Sequence, residues 1–265
     1  MHALIVLAHP EPQSFNATLK DIAVGTLRRD GWTVEISDLY GEGFQPAEGP
    51  AHYAERARTD LFAPLVEQRH AWQTETLPAD VRREIDRLER ADLVILQFPL
   101  WWHAQPAILK GWFDRVFVSG GLYTGRMRYD RGYFRGRRAI CSVTVGAPAA
   151  VLEPGSRGGD IDALLYPIQY SMYYMGFSVL PPYVASGMPG HGFGGGDAEA
   201  VQRQLDGYQD AWRQRLQNLD SDTPIAFPGW DDWDETGRRL REPSVQSAHA
   251  VRGDACERPG ACTGG

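Results

Sequence analysis

The chain has 265 residues, 43% of them hydrophobic and 23% charged, which is ample for a folded core and gives no compositional sign of disorder. Its 27 basic and 34 acidic side chains leave a formal charge of −7, which argues against a nucleic-acid binder. No apolar run approaches the roughly 18 residues of a membrane span. The start lacks a basic stretch followed by an apolar one. Cys141, Cys256 and Cys262 are too scattered for a disulfide framework or a four-ligand zinc site, so no metal is expected and a reducing cytoplasm is the expected compartment.

The first segment, residues 3–9 (ALIVLAH), is a short continuous apolar run, the pattern of a strand buried on both faces. A polar loop over 9–16 precedes a helical stretch to about Arg29, which Asp30-Gly31 breaks. Residues 32–39 alternate as a second strand. Residues 41–79 are rich in polar and turn residues, with one helix-like stretch around 54–68. A helix over 79–90 leads into a third buried strand, 92–99. Pro106 suits a first helical turn, and 107–118 follows with helical spacing. Residues 138–146 read as a fourth strand, 160–175 as a helix, 176–181 as the start of a fifth strand, and 197–218 as a long amphipathic helix.

Strands alternating with helices predict an α/β domain with a parallel sheet. Five strands suit a flavodoxin-like doubly wound sheet of order 2-1-3-4-5 with helices on both faces, whose ligands bind at the carboxyl ends of the strands. The expected domain is 1–223. A C-terminal extension, 224–265, follows it and is expected to become a mobile tail from about 243.

Two segments carry chemistry. The loop after the first strand offers Ser14, Asn16 and Thr18 together with the free N–H groups and positive dipole of a helix start, which suits an anionic ligand. Neither G-x-x-x-x-G-K-[ST] nor G-x-G-x-x-G is present there. The plainer alternative is that Ser14 or Asn16 caps the helix. After the third strand, residues 97–117 (QFPLWWHAQPAILKGWFDRVF) set two tryptophans and a histidine at a strand's carboxyl end, where a flat aromatic ligand would stack. Trp112 lies within the helix and suits packing.

Residues 7–16 (LAHPEPQSFN) and 97–117, supported by Ser37–Tyr40, Tyr129-Asp130, Pro167–Gln169 and Gly176-Phe177, resemble the NAD(P)H:quinone oxidoreductases, or DT-diaphorases, over roughly 3–227. The resemblance implies a homodimer with one FAD per subunit, reduced by NADH or NADPH and reoxidised by a quinone-like acceptor. Carried across position by position, it sets the flavin diphosphate and ribityl chain on His9, Gln13, Ser14, Phe15, Asn16 and Thr18. The isoalloxazine falls on Pro99, Leu100, Trp101, Trp102 and His103 and against Thr144, Val145, Gly146 and Ala147. The acceptor pocket takes Trp102, His103 and Gly146, with Tyr123, which reaches the partner's pocket, Tyr174 and Trp233 as pocket aromatics; the alternative for Trp233, and for Trp230 beside it, is that it anchors the tail.

The family's tyrosine and histidine beside the flavin are absent here: the matching positions are Leu152 and Gly158. Arg157 is the positive group of that segment and a candidate to balance charge on the flavin, with a solvated loop arginine as the alternative. His103 replaces an apolar aromatic and is a candidate proton donor to the acceptor, or else a stacked packing residue. The leading function is two-electron, ping-pong reduction of quinones through FAD. The alternatives are a flavin, azo, nitro or tailoring reductase on the same site, or a non-catalytic regulatory subunit or electron carrier.

Overall fold

The computed structural model of the protein describes residues 1–189 and 198–240. In chain order the main elements are β1 (His2–Leu7), α1 (Phe15–Arg29), β2 (Thr33–Asp38), α2 (Pro64–Gln73), α3 (Ala79–Arg90) and β3 (Leu93–Pro99). The second half contributes α4 (Ala107–Val116), β4 (Arg138–Thr144), α5 (Ile161–Tyr174), β5 (Ser178–Val179), β6 (Tyr183–Ala185) and α6 (Ala198–Gln217). All strand pairings are parallel, in the order β2-β1-β3-β4-β5, with β6 also on β4.

Each central strand splits its side chains between two cores, as a pleat of period two requires. Ala3 and Ile5 of β1, Leu93 and Ile95 of β3 and Ile140 of β4 face α1 and α6, where Leu19, Ala23, Leu27, Trp212 and Leu216 meet them. Leu4, Val6, Val94, Leu96, Phe98 and Cys141 face α3, α4 and α5 on the other side. Burial on both faces is why these strands read as unbroken apolar runs. Trp212 Nε1 donates to the carbonyl of Leu19 at 3.1 Å, which fixes α6 against α1. On the far face Glu84 is buried yet fully engaged: it accepts from Ser37 Oγ (2.6 Å), Trp112 Nε1 (2.9 Å) and Arg87 (2.6 Å). Trp112 is therefore a packing residue.

Two expectations need correction. The expected fifth strand over 176–181 is two short strands, both on β4, because Pro181 and Pro182 interrupt it. Proline has no N–H to donate to the ladder. Pairing halts after Leu180 N donates to Ala139 O (2.8 Å) and resumes at Tyr183. The expected helix at 54–68 begins only at Pro64, the favoured residue of a first turn. The segment before it folds back instead, since the buried Glu67 carboxylate accepts from Ala57 N (2.7 Å) and Arg58 N (3.3 Å) and forms an ion pair with Arg56 (3.0 Å). The tail expected beyond about 243 lies outside the described residues.

Within the described residues the extension is bonded to the domain. Ile225 N donates to Val179 O (2.8 Å), Tyr173 Oη donates to Pro228 O (2.9 Å), and Phe227 stacks on Tyr173.

Gly111 shows how closely the long connection after β2 approaches α4. A Cβ at this position would stand 2.1 Å from the backbone oxygen of Pro46. Gly111→Ala is therefore expected to destabilise the fold by about 3 kcal/mol, at the upper end of overpacking costs. A urea midpoint equal to that of the parent would contradict the packing described.

Candidate active site

In a sheet of this order the chain turns opposite ways out of β1 and β3, which opens a crevice at their carboxyl ends. Three loops meet there: 8–14 after β1, 100–106 after β3 and 145–160 after β4.

The first loop ends in a capped helix. Ser14 is the N-cap of α1, with an extended backbone and Oγ accepting from Ala17 N at 3.2 Å, so the capping alternative holds for Ser14. Phe15 and Asn16 occupy the first turn, where N–H groups have no intrahelical acceptor. No acidic residue lies in that turn, whereas α3, α5 and α6 carry Asp80, Asp162 and Glu199 in theirs. The first turn of α1, like that of α4, thus carries no carboxylate of its own, and its free N–H groups suit a phosphate. Thr18 is half-buried and its hydroxyl donates to Ser14 O at 3.4 Å. Gln13 is exposed, and its N–H donates to Glu11 Oε1 at 2.8 Å.

His9 is half-buried at the head of this loop. Its Nδ1 accepts from Glu11 N at 3.0 Å, and its ring lies 5.8 Å from that of Trp101. Burial holds its pKa below the ordinary value, against the opposing pull of Glu11. The imidazole is therefore neutral near pH 7, with Nδ1 as acceptor and Nε2–H as donor.

The second loop is a tight turn. Trp101 and Ala104 exchange both backbone bonds (3.0 and 3.1 Å), and the two residues between them, Trp102 and His103, have φ of +51° and +61°. Positive φ at both central positions is the type I′ turn, which ordinarily favours Asn or Gly. A tryptophan and a histidine held there cost about 1–2 kcal/mol each. The turn lifts Trp102 into solvent at 96% exposure, with Trp101 at 41%. The bond from Leu100 N to Thr144 O (2.9 Å) fixes the base of the turn to β4.

In the third loop, Val145 N donates to Ala185 O, and Gly187 N and Met188 N donate back to Ala147 O and Val145 O. Gly146 is exposed; a Cβ there would meet nothing nearer than Met188 O at 4.0 Å. Leu152 turns into the core and is 5% exposed. Gly158 packs so closely that a Cβ would stand 2.4 Å from Val151 O, so the loop's path leaves no room for a larger residue there. Arg157 is exposed.

Beneath all three loops lies a buried polar bridge. Asn16 Nδ2 donates to Thr144 Oγ1 (2.9 Å), and Gln97 Nε2 donates both to Asn16 Oδ1 (2.9 Å) and to Ser142 O (3.2 Å). The Asn16 amide is thus engaged below the crevice, and its backbone N–H is the group it presents to a ligand. Sequence reasoning missed Gln97, although one polar residue inside an otherwise apolar strand was the available signal.

The pocket aromatics lie elsewhere. Both α4 and α5 run from the crevice end of the sheet to the opposite end. Tyr174 closes α5 four residues before β5, whose first residue pairs with the first of β4. Tyr123 lies beyond α4 and touches Tyr174, their rings 5.6 Å apart. Tyr129 bridges the group, with its ring 5.1 Å from Tyr174 and 4.8 Å from Trp233. Burial raises the Tyr123 pKa, so its hydroxyl stays protonated. The structure therefore brings Tyr123, Tyr174 and Trp233 together but sets them at the opposite end of the sheet from Trp102, His103 and Gly146. A groove of about 350 Å³ between α2, α4 and α5 runs from Gln105, beside the aromatic turn, to this cluster.

Comparison with known proteins follows the same lines. Residues 1–216 match the family described as having a flavodoxin-like fold. The chain is 37% identical over 227 residues to NAD(P)H dehydrogenase [quinone] 1 of Cavia porcellus, covering 85% of this chain and 79% of that one. It is 38% identical over 224 residues to ribosyldihydronicotinamide dehydrogenase [quinone] of Pongo abelii, covering 84% and 93%. Among solved structures, NAD(P)H:quinone oxidoreductase from Methanothermobacter marburgensis superposes with a TM-score of 0.63 at 26% identity, covering 83% and 97%. A Klebsiella pneumoniae structure provisionally described as a quinone reductase gives 0.81 at 34%, covering 91% and 94%.

Gln97→Met keeps the volume but removes both N–H donors, leaving Asn16 Oδ1 buried without one and depriving Ser142 O of its side-chain donor. The expected cost is about 2–3 kcal/mol of stability, read from urea unfolding of the flavin-free protein. Unchanged stability would mean that the three loops are held some other way.

Proposed function

Because the chain belongs to the flavodoxin-like family of NAD(P)H dehydrogenases (quinone), we propose that it is a cytoplasmic, FAD-dependent quinone reductase, homodimeric, with a site shared between subunits. The observation that carries this reading is the meeting, at one sheet edge, of a helix terminus with no acidic residue in its first turn and an exposed aromatic turn. One side suits a diphosphate and the other a planar ring system, which are the two chemically distinct halves of a dinucleotide flavin.

The residues present fit such a group. His9, Gln13, Ser14, Phe15, Asn16 and Thr18 line the anion-ready half with neutral donors and backbone N–H groups. Pro99, Leu100, Trp101, Trp102 and His103 form one wall for the ring, and Thr144, Val145, Gly146 and Ala147 the other. The openness above Gly146 is the clearance that a flat ring needs. When bound, the flavin supplies the hydride chemistry that couples NAD(P)H oxidation to acceptor reduction, each substrate occupying the site in turn.

The chain's own part is orientation, exclusion of water and proton delivery. Neutral His9 donates from Nε2 without repelling or protonating its neighbours. His103, held beside Trp102 by the turn, is placed to give a proton to an acceptor oxygen above the ring. With Leu152 and Gly158 where relatives hold a tyrosine and a histidine, negative charge at the ring falls to the backbone N–H groups of Gly146 and Ala147 and to Arg157.

The separation of the two aromatic groups supports a shared site. Tyr123, Tyr174 and Trp233 lie a helix length, about 20 Å, from the crevice of their own chain. They reach acceptor distance only when they complete the crevice of a second copy.

The released cofactor is expected to be FAD by mass spectrometry; FMN alone would overturn that assignment. Sedimentation at micromolar concentration is expected to give a dimer, and a fully active monomer would refute the shared site. His103→Phe is expected to keep flavin bound and to slow acceptor reduction about 10²-fold, leaving reduction by NAD(P)H nearly unchanged in stopped flow. Equal loss in both half-reactions would assign His103 to packing.

A further inference from the structure

The third loop of the crevice is held from one side by the segment 185–188. Val145 N donates to Ala185 O (2.8 Å), while Met188 N and Gly187 N donate to Val145 O (3.0 Å) and Ala147 O (2.9 Å). A trans peptide points its C=O and its N–H in opposite directions. With Val145 O turned toward Met188, the N–H of the same peptide, that of Gly146, is turned away from β6. Val145 continues β4, whose other neighbour is β3, so this N–H is aimed toward the side of the crevice that carries Trp102 and His103. Among the described residues it has no acceptor.

The segment that sets this aim has little structure of its own, since β6 is three residues long. Its fastening is a pair of side chains on α6. Tyr208 Oη accepts from Ser186 N (3.1 Å) and shares a hydrogen bond with Ser186 Oγ (3.0 Å), and Gln204 Nε2 donates to Ser186 O (3.0 Å). Ser186 is therefore bonded at its N–H, its hydroxyl and its carbonyl, all from one helix. Tyr208 is fixed in turn, because Tyr183 Oη donates to its carbonyl and the Tyr183 ring lies 4.7 Å from that of Trp212 in the core. Ser186 is buried and Tyr208 half-buried, so an N–H deprived of this hydroxyl has no ready substitute in water.

We propose that Tyr208 is a positioning residue for the crevice: through Ser186 it fixes the direction of the Gly146 N–H, and thereby the negative charge that the site stabilises on a bound flavin. The second half rests on the reading above that backbone N–H groups of this loop balance charge at the ring; the first half does not. With Leu152 and Gly158 in the same loop offering no ionisable group, the aim of one N–H carries more weight than it would beside a histidine.

The test uses the flavin-loaded protein and the variant Tyr208→Phe, which keeps the ring and the carbonyl that Tyr183 bonds but deprives Ser186 N of its acceptor. Amide hydrogen exchange is read by mass spectrometry over 183–189 and 145–147, and the midpoint potential of the bound flavin by redox titration. Exchange over both segments is expected to be about tenfold faster than in the parent, as one hydrogen bond is lost from the local stability. An N–H aimed at the ring favours the electron-richer, reduced form, so losing that aim lowers the potential. The expected fall is about 30 mV, the same tenfold factor for a two-electron couple. Gln204→Ala removes only the bond to Ser186 O and is expected to move both readouts the same way by a smaller factor, which keeps the test decisive if Tyr208→Phe does not fold. Leu216→Val loosens α6 in the core without touching Ser186 and is expected to leave the potential unchanged. Faster exchange together with the fall in potential supports the whole inference. Faster exchange with an unchanged potential supports the positioning and overturns the reading that this loop balances charge at the ring. Unchanged exchange over both segments, or an equal fall in potential in Leu216→Val, overturns the inference.

Discussion

Everything at the carboxyl edge of the sheet depends on a buried bridge of three side chains. Gln97 in β3 holds Asn16 at the start of α1, and Asn16 holds Thr144 at the end of β4. Hydrogen bonds in a water-free interior are directional and costly to leave unmade. The bridge therefore sets not only the spacing of the three loops but the angle at which α1 enters the crevice. Apolar packing of the same volume would hold the layers together without fixing that angle. The strained turn at Trp102 and His103 relies on this support, since its base is bonded to Thr144, one of the bridge's own members.

The molecule divides its chemistry between two ends. At one end backbone dipoles and neutral donors dominate. At the other, a belt of tyrosines and tryptophans with Tyr129 at its centre meets the guanidinium groups of Arg128 and Arg131. The extension after α6 closes that second end, through Phe227 on Tyr173 and Trp230 on Arg128. Residues beyond the flavodoxin-like domain thus finish a surface that the domain begins, and α4 and α5 link the two ends as rigid struts.

The strands were legible because burial on both faces leaves continuous apolar runs, and Ser14, Trp101 and Trp102 were legible because caps and exposed aromatics have local signatures. Residues fixed by distant partners were not. Nothing near Asn16 in sequence indicates that its amide faces Gln97, 81 positions away. Arg128 sits in an irregular connection with no periodicity, and its meaning comes from Trp230, 102 positions later. The helix misread at 54–68 has the same cause: Glu67 captures the N–H groups of Ala57 and Arg58, a tertiary contact that overrides local helical spacing.

The interrupted last strand also governs how the protein meets its own kind. An open sheet edge offers unpaired N–H and C=O groups to any passing chain and is a common route to aggregation. Here one edge is two short strands broken by Pro181 and Pro182, too brief and too poor in donors to template another strand. The opposite edge, β2, carries Glu35 within a cluster of Arg87, Arg90 and His2, a charged fringe that discourages strand addition. With both edges blunted, the sheet offers no long bare ladder to a passing chain, and what the described surface presents instead is side chains, which discriminate between partners as a backbone ladder does not.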